Sequence, residues 1–284
     1  MPKPLTSRLA LIAGLILATF GSASAEESGL RALNTGDDGR GWEAVGRLNL
    51  DGRGFCTGAL VAEDLVLTAA HCLYDEQSGL RFDPTRIEFL AGWRNGRASA
   101  YRQVRRAVVP PTYQFDADVT PERVRDDVAL LELYQPIRNS SVVPFNLTQR
   151  PRQGDEISVV SYAHDRAETP SLQELCNVIT SQEGVLIMSC EVDFGSSGAP
   201  VFSLTGGVAR IVSVVSAKAE VEGNDVSLGT DLGQIEHLMA DLRAGGGSSL
   251  PVAPRTNRIT IGQSRAAPIQ SRSGIGAKFI RPGN

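Results

Sequence analysis

The stretch Phe194-Gly195-Ser196-Ser197-Gly198-Ala199-Pro200-Val201 places a serine between two glycines and leads it into an apolar strand. Gly195 and Gly198 carry no side chain, so a substrate carbonyl can approach the backbone of this turn. The N–H groups of Gly195 and Ser197 can then point at the oxyanion that develops on that carbonyl. These residue types predict Ser197 as a nucleophile, although Gly-Ser-Ser-Gly strings also occur in ordinary loops and linkers.

A serine hydroxyl needs a base that takes its proton during attack. The chain has three histidines, and His71 stands between the small residues Thr68-Ala69-Ala70 and Cys72. His164 lies in a polar turn, and His237 lies in a predicted helix. A histidine between a small-residue turn and a cysteine is suited to be held rigidly, so His71 is the predicted general base.

The base in turn needs a carboxylate that fixes its tautomer, and two neighbouring aspartates compete for this role. Asp127 directly precedes the apolar run Val128-Ala129-Leu130-Leu131, so it lies at a buried strand edge where a carboxylate requires a partner. Asp127 is therefore the predicted partner of His71. Asp126 is then expected to be its solvated neighbour, and Glu132 an outward residue of the same strand.

Three stretches together resemble the trypsin/chymotrypsin-like serine proteases. Residues 54–61 contain Cys-x-Gly-x-Leu-Val, residues 65–72 end in Thr-Ala-Ala-His-Cys, and residues 125–131 are similar to the family's Asp-hydrophobic-Ala-Leu-Leu strand. With the serine stretch, they follow the family's order His, Asp, Ser over residues 41–241, which is far more specific than one motif. The resemblance implies an all-β fold of two antiparallel six-stranded Greek-key β-barrels with a C-terminal helix, and peptide-bond hydrolysis through an acyl-enzyme.

The resemblance also bears on the four cysteines. It pairs Cys56 with Cys72, which ties the histidine loop to the preceding strand, and leaves Cys176 with Cys190. Neither pair has Cys-x-x-Cys spacing and no histidine cluster accompanies them, so no zinc site is expected. A serine endopeptidase of this kind is also expected to use no cofactor and no metal. A disulfide that closes a loop of about 16 residues contributes roughly 3 kcal/mol of stability.

The chain departs from the family at the residue before the nucleophile. Ser196 stands where trypsin-like enzymes carry an aspartate that pairs with a newly released N-terminus, and residues 26–45 contain no Arg/Lys-Ile-Val-Gly-Gly sequence. The uncharged residue looks closer to the bacterial glutamyl-endopeptidase-like branch. That branch's substrate-reading histidine does not carry over, because Ile211-Val212-Ser213 has valine there. We expect the protein beginning at Glu26 to be catalytically active without a further activating cleavage. Local packing and the Cys176–Cys190 disulfide are expected to order the loop that carries the oxyanion donors.

Specificity is less well defined by the sequence. Glu191 lies near where the family's primary pocket residue falls, and Asp193 is close by. An acidic pocket would favour Lys or Arg in the substrate, but an outward-facing acidic residue after Cys190 fits the sequence as well. Ser213 to Ser216 is expected to form the edge strand that pairs with extended substrate backbone. Glu191 and Ser213 are therefore the predicted substrate-binding residues.

Residues 1–25 have the pattern of a secretory signal peptide. Lys3 and Arg8 precede an apolar segment over residues 9–20, and Ala23-Ser24-Ala25 is a small-residue cleavage site. The apolar segment is short for a bilayer span, and no later segment approaches about 18 consecutive apolar residues. The sequence predicts cleavage after Ala25 and a secreted or periplasmic protein, where disulfides persist.

The sequence after the signal peptide predicts a protease domain over residues 26–243. Residues 26–40 are expected to form an irregular arm, and residues 140–155 the connection between the barrels. Alternating or apolar runs predict strands over residues 42–50, 54–61, 65–68, 86–93, 102–109, 156–163, 172–180, 184–192, 199–204 and 208–217. Residues 233–242 show helical spacing, with Asp231 as the expected N-cap.

From residue 244 the composition changes to a Gly- and Ser-rich linker and a basic tail. Residues 26–243 carry 20 basic and 32 acidic side chains, a net charge of −12, whereas residues 244–284 carry +6. A disordered, solvated tail is one interpretation. The other is that the tail folds onto the acidic domain or onto an anionic surface such as an envelope component or nucleic acid.

The sequence favours a monomeric endopeptidase that acts on polypeptides, and no nucleic acid partner is expected. A catalytically silent homologue that acts as a binding module is the alternative from another class, which the presence of all three catalytic residues disfavours. An α/β-hydrolase esterase would require Gly-x-Ser-x-Gly at a strand-to-helix elbow and the order Ser, Asp, His. Neither requirement is met by this chain.

Overall fold

The computed structural model describes residues 29–247, apart from 116, 117, 149 and 222, and also residues 277–279. The predicted signal peptide lies outside the described residues, as does most of the basic tail, residues 248–276 and 280–284. Within the described chain, no helix is long and apolar enough to cross a bilayer.

The first half of the chain folds into a closed six-stranded antiparallel barrel. Its strands follow the order β2-β3-β4-β7-β6-β5 around the barrel. The strands are β2 (Val45–Leu50), β3 (Phe55–Ala62), β4 (Leu65–Thr68), β5 (Ile87–Ala91), β6 (Ala100–Val108) and β7 (Ala129–Leu133). The β2–β3 hairpin turns at Asp51 and Gly52, whose φ angles of 53° and 72° are those of a two-residue Asp-Gly hairpin turn.

The second half forms a second closed antiparallel barrel with the strand order β9-β10-β11-β14-β13-β12, closed by pairing of β12 with β9. The strands are β9 (Glu156–Ser161), β10 (Ser171–Gln182), β11 (Val185–Met188), β12 (Pro200–Ser203), β13 (Arg210–Val221) and β14 (Asn224–Thr230). Three short strands attach to it, namely β1 (Leu30–Ala32) on β10, and β8 (Asn146–Leu147) and β15 (Ala277–Phe279) on β13. The predicted two-barrel fold is confirmed.

Two α-helices complete the described structure, α1 (Pro121–Arg125) and α2 (Ile235–Arg243). The apolar residues Ile235, Leu238 and Leu242 of α2 are buried in the same core as the first barrel, so the C-terminal helix packs against the outside of that barrel, next to β6 and β7. Single 3-10 turns cover Ala70–Leu73, Pro84–Arg86, His164–Arg166 and Thr205–Gly207.

The N-cap prediction for α2 is wrong. The cap position is Gln234, whose side chain makes no capping hydrogen bond. Asp231 lies earlier, where its carboxylate accepts a hydrogen bond from the N–H of Gly233 at 2.9 Å and pairs with Arg150 at 2.6 Å. Asp231 therefore does not cap α2. Its ion pair with Arg150 holds the segment that connects the two barrels.

Several elements differ from the sequence-based expectations. Strand β14 was not predicted, because Asn, Asp, Ser and Gly have low β-propensity; pairing with β11 and β13 and burial of Val226 and Leu228 stabilise it. The N-terminal arm is not wholly irregular, since Leu30–Ala32 pairs with β10. Three residues of the tail, Ala277–Phe279, form a strand where the composition predicts no regular structure.

Candidate active site

His71 is presented by a tight turn at the end of β4. Ala69 and Ala70 are fully buried, and their small side chains let the 3-10 turn Ala70–Leu73 pack into the first-barrel core. The disulfide between Cys56 and Cys72, with an S–S distance of 2.00 Å, ties this turn to β3. The His71 side chain is thereby held at the surface of the barrel, 18% exposed.

Asp127 holds this histidine through two hydrogen bonds. The Nδ1 atom of His71 lies 2.7 Å from Oδ2 of Asp127, and the backbone N–H of His71 donates to Oδ1 at 2.8 Å. The carboxylate lies between α1 and β7 and is 3% exposed. Because an ionised carboxylate only accepts hydrogen bonds, Nδ1 carries the proton and Nε2 is left as the basic nitrogen.

A serine that the sequence analysis did not assign to the catalytic machinery completes the surroundings of Asp127. The hydroxyl of Ser216, on β13 of the second barrel, donates a hydrogen bond to Oδ2 of Asp127 at 2.5 Å. The carboxylate is therefore contacted from both barrels. A β-bulge between Val215 and Ala217 alters the register here. Strand alternation read from the sequence therefore does not reveal which serine reaches Asp127.

The pKa values of the pair move apart. Burial by itself would lower the pKa of His71, but the charge of Asp127 and its hydrogen bond outweigh burial and raise it above the ordinary value. Burial would raise the pKa of Asp127, but the imidazole and the hydrogen bonds from His71 and Ser216 hold it below the ordinary value. Asp127 is thus ionised near neutral pH, and His71 is a stronger base than a free histidine.

Ser197 lies where the two barrels meet. Its carbonyl oxygen accepts a hydrogen bond from the N–H of Thr57 on β3 at 2.9 Å, and the next residue, Gly198, donates to the carbonyl of Val215 on β13 at 2.8 Å. Thr57 directly follows Cys56, whose disulfide partner Cys72 directly follows His71. The backbone of Ser197 is thereby anchored beside the histidine turn, and its hydroxyl has no hydrogen-bond partner among the described residues.

The turn around Ser197 requires both of its glycines. Gly195 and Gly198 have φ angles of 93° and 77°, in the left-handed region that disfavours side chains. A Cβ atom on Gly195 would collide with the ring of Phe55, and one on Gly198 with Thr68 and the Thr57 carbonyl. In the part of the chain that the structure describes, the N–H groups of Gly195 and Ser197 have no acceptor. They are available as oxyanion donors.

Ser196 takes the place of the family's buried aspartate without introducing a charge. Its side chain is fully buried, and its hydroxyl donates to the Ser161 hydroxyl at 3.2 Å and to the Tyr162 carbonyl at 3.4 Å. Its backbone N–H donates to the carbonyl of Asp193 at 2.9 Å. Neutral hydrogen bonds to the second barrel therefore order this loop.

The second disulfide, between Cys176 and Cys190, links β10 to the segment that leads to Ser197. Both disulfides are the pairings that the resemblance implies. A group of possible metal ligands, Cys56, His71 and Cys72, lies within 4.8 Å. Its two sulfur atoms form the disulfide, so neither is a thiolate that could bind a metal.

The two predicted substrate-binding residues lie in different environments. Glu191 is exposed, and its backbone N–H donates to the Gln173 side chain at 2.9 Å. Ser213 is buried, and its hydroxyl donates to the carbonyl of Thr230 at 2.8 Å. The Ser213 side chain is thus committed to the interior of the second barrel, and the structure does not bring it to a substrate.

Asp126 is not solvent-exposed, contrary to the prediction from the sequence. It is 4% exposed, accepts a hydrogen bond from Nε2 of Gln234 at 2.8 Å and pairs with Nε of Arg125 at 3.1 Å. That prediction is wrong because α2 approaches this end of β7, an approach that local sequence does not reveal. Asp126 and Asp127 are both buried but have separate partners.

Two closed barrels, with a histidine–aspartate pair on one and a glycine-bracketed serine at their junction, define the class of chymotrypsin-like double-barrel proteins. A family model described as Trypsin matches residues 36–230, and the chain belongs to this family of serine proteases. A solved structure described as Glu endopeptidase in complex with MPD aligns with a TM-score of 0.60 at 18% identity. The alignment covers 72% of this chain and 92% of that one, and shows the same fold.

Curated relatives are similar over shorter segments. A trypsin of Sarcophaga bullata is 30% identical over 91 residues, which are 32% of this chain and 32% of the relative. Serine protease 23 of Mus musculus is 29% identical over 164 residues, 52% of this chain and 42% of the relative. Glutamyl endopeptidase of Bacillus licheniformis is 27% identical over 152 residues, 52% of this chain and 45% of the relative. The chain spans less than half the length of these relatives.

Proposed function

We propose that this protein is an exported serine endopeptidase that uses Ser197 as nucleophile, His71 as general base and Asp127 as the carboxylate that orients the base. The observation that carries the proposal is the hydrogen-bonded His71–Asp127 pair, with Nδ1 and Oδ2 at 2.7 Å, next to the backbone of Ser197. Membership in the trypsin family supports it.

In the proposed reaction, Nε2 of His71 takes the hydroxyl proton as the oxygen of Ser197 attacks the carbonyl carbon of the scissile peptide bond. The N–H groups of Gly195 and Ser197 then stabilise the oxyanion of the tetrahedral intermediate. The imidazolium of His71, stabilised by ionised Asp127, returns the proton to the leaving amine, and an acyl-enzyme remains on Ser197. Water repeats the sequence with His71 as base, which releases the carboxylic acid product and restores the serine.

The proposal assigns residues 1–25 to a signal peptide, residues 26–243 to the protease domain and residues 244–284 to a basic tail. Export fits the two disulfides, because disulfides persist in oxidising compartments. The neutral hydrogen bonds of Ser196 support activity without a newly released N-terminus. Sequencing the N-terminus of the purified active protein, together with active-site titration, tests this. Activity that requires removal of residues beyond Arg31 would contradict it.

The central experiment is labelling with a fluorophosphonate probe, which reacts with activated serines. Wild-type protein should be labelled on Ser197, and the Ser197→Ala variant should not be labelled. Ser203→Ala, which removes a serine at the far end of β12, is a matched control and should be labelled like wild type. Equal labelling of wild type and Ser197→Ala would refute the assignment.

A catalytically silent binding module is the second candidate. The observation in its favour is that the Ser197 hydroxyl makes no hydrogen bond to His71, although such bonds in uncomplexed proteases often tighten only with substrate. The same labelling experiment separates the candidates, because a silent module would leave wild-type protein unlabelled at every serine.

A further inference from the structure

Thr57, on β3 of the first barrel, is a fully buried threonine whose hydroxyl is hydrogen-bonded on both sides. The hydroxyl donates to the carbonyl of Gly195 at 2.8 Å and accepts from the backbone N–H of Tyr162 at 3.0 Å. The carbonyl of Tyr162 lies farther away, at 3.5 Å, so Gly195 is the better acceptor. The backbone N–H of Thr57 donates to the carbonyl of Ser197 at 2.9 Å. One residue of the first barrel thus holds the loop around Ser197 at two points.

The Gly195 carbonyl lies between the two candidate oxyanion donors along the chain. The N–H of Gly195 belongs to the peptide group that joins Phe194 to Gly195, and the N–H of Ser197 belongs to the one that joins Ser196 to Ser197. The Gly195 carbonyl belongs to the peptide group between them. Because a trans peptide group is planar, a hydrogen bond to its carbonyl also fixes the direction of its N–H. The orientation of the middle peptide group therefore sets the position of one donor relative to the other.

All three of these peptide groups have an anchored carbonyl, but the anchors differ in kind. The carbonyl before the middle one accepts from the backbone N–H of His164 at 2.6 Å, and the carbonyl after it accepts from the backbone N–H of Ala199 at 2.9 Å. The middle carbonyl accepts from the Thr57 hydroxyl. Of these three anchors, the hydroxyl is the one that a side chain supplies and the one that comes from the first barrel.

Glycine at position 195 makes the middle anchor important. Gly195 has a φ angle of 93°, and a glycine rotates about its backbone bonds more freely than any other residue. In the part of the chain that the structure describes, its carbonyl has no hydrogen-bond donor other than the Thr57 hydroxyl. Without that hydroxyl, the carbonyl would gain by turning toward water or another donor. Such a rotation would change the directions of the neighbouring N–H groups.

We propose that the Thr57 hydroxyl is a positioning group of the candidate active site, which holds the peptide group after Gly195 so that the N–H groups of Gly195 and Ser197 converge on one oxyanion. This inference rests on the proposed function, because oxyanion donors matter only if an oxyanion forms. Thr57 is the unspecified residue of the Cys-x-Gly motif, so the motif gives no sign of this role.

The test compares Thr57→Val, which keeps the shape of the side chain and removes the hydroxyl, with Thr57→Ser, which keeps the hydroxyl. Both variants are made in the full mature chain and assayed with a peptide substrate. Removing an entire oxyanion donor lowers kcat roughly 10²- to 10³-fold, so misplacing the donors in Thr57→Val should lower kcat about 30-fold and change KM less than about twofold. Thr57→Ser should keep at least about a third of the wild-type kcat.

Two results of this comparison would overturn the proposal. One is a kcat for Thr57→Val within about twofold of the wild-type value, with any change confined to KM. The other is a Thr57→Ser variant as slow as Thr57→Val, because the loss would then follow the methyl group and not the hydroxyl.

Thr230→Val is the matched control for a buried threonine. Thr230 is 1% exposed, and its hydroxyl also donates to a backbone carbonyl, that of Arg125, at 2.6 Å. This control should lower the free energy of unfolding as Thr57→Val does and leave kcat near the wild-type value. Equal losses of kcat in the two variants would show that general destabilisation causes the effect, and would overturn the proposal.

The pH–rate profile separates Thr57 from the general base. In the described structure, the hydrogen bonds of the Thr57 hydroxyl go to Gly195 and Tyr162 and not to His71 or Asp127. Thr57→Val should therefore lower kcat/KM by the same factor at every pH and leave the apparent pKa of the base unchanged. A shifted apparent pKa would show that the variant acts through the base, and would overturn the proposal.

Fluorophosphonate labelling makes the test independent of turnover and of the yield of folded protein. Because only folded protein reacts, the amplitude reports the folded fraction and the rate constant reports the site. The rate constant of Thr57→Val should fall about 30-fold, since the phosphoryl oxygen of the probe takes the place of the oxyanion. Wild-type protein that stays unlabelled refutes the protease proposal. Labelled wild type, with Thr57→Val reacting at the wild-type rate, refutes only the role of Thr57.

Discussion

The two barrels contribute unlike parts of the candidate site. The first barrel holds a hydrogen-bonded pair, His71 and Asp127, that is fixed by a disulfide and by two hydrogen bonds from one histidine. The second barrel contributes a loop around Ser197 that neutral hydrogen bonds and glycine geometry hold in place. Among the described residues, the Ser197 hydroxyl and the N–H groups of Gly195 and Ser197 have no hydrogen-bond partner. Under the proposed function, the first barrel sets the strength of the general base, and the second barrel positions the nucleophilic hydroxyl.

The largest expected effect comes from removing the base. His71→Ala should lower kcat by about 10⁶-fold, the size seen when one member of a cooperating triad is lost. The fold should persist, since the disulfide and the buried alanines still hold the turn. Peptide hydrolysis and thermal unfolding measure the two outcomes. His164→Ala and His237→Ala, both at exposed positions, are the controls, and loss of activity in either would implicate a different base.

Asp127→Asn should have the next largest effect, a decrease in kcat of about 10⁴-fold, because the amide no longer fixes the imidazole tautomer. Asp126→Asn is the matched control. It changes a buried neighbouring carboxylate that contacts Gln234 and Arg125. It should therefore lower the free energy of unfolding and leave kcat near the wild-type value. Steady-state kinetics measure kcat for both variants. A larger decrease in kcat for Asp126→Asn than for Asp127→Asn would contradict the assignment.

The two disulfides allow a direct comparison of the barrels. They close similar chain separations, 16 and 14 residues, so replacing either pair with alanines should lower the free energy of unfolding by about 3 kcal/mol. Loss of Cys176–Cys190 should also slow fluorophosphonate labelling about 100-fold, the cost of losing an oxyanion donor, because this bridge ends seven residues before Ser197. Denaturant unfolding and labelling rates measure both effects. An unchanged labelling rate would show that Ser196 and its neighbours order the loop unaided.

Ser216→Ala should lower kcat/KM about tenfold, because it removes one hydrogen bond to a charged carboxylate. Ser216 acts through Asp127 and is a positioning residue. Without its hydroxyl, the charge of Asp127 acts more strongly on His71, so the variant should also raise the apparent pKa of the base in the pH–rate profile. Ser213→Ala, three residues earlier and bonded to Thr230, should leave both quantities unchanged. A larger loss of activity for Ser213→Ala would reverse these roles.

The smallest effect concerns pH. Activity requires neutral His71, whose pKa is raised, so kcat/KM should fall as the pH drops through an inflection above 6.5. The stability that His71 contributes has the opposite dependence: it is full below 6.5 and is lost as the pH rises through the folded-state pKa. The contribution of Asp127, whose pKa is lowered, is present above 3.8 and is lost as the pH falls through its folded-state pKa. An inflection below 6.5 would contradict the pairing.

Features that depend on local chemistry could be predicted from the sequence. Glycine at 195 and 198, small residues before His71 and an apolar run after Asp127 are each needed by the turn or strand that contains them, and they pointed to the double-barrel fold and to the family. The pairing of the cysteines came from the resemblance to that family, and the structure has the same two bridges.

Features that depend on residues distant in the chain could not be predicted from the sequence and are seen only in the folded protein. A β-bulge in β13 turns Ser216 toward Asp127, the approach of Gln234 buries Asp126, and pairing on both sides makes a strand of Asn224–Thr230. Register and burial are properties of several chain segments at once, and no single segment encodes them.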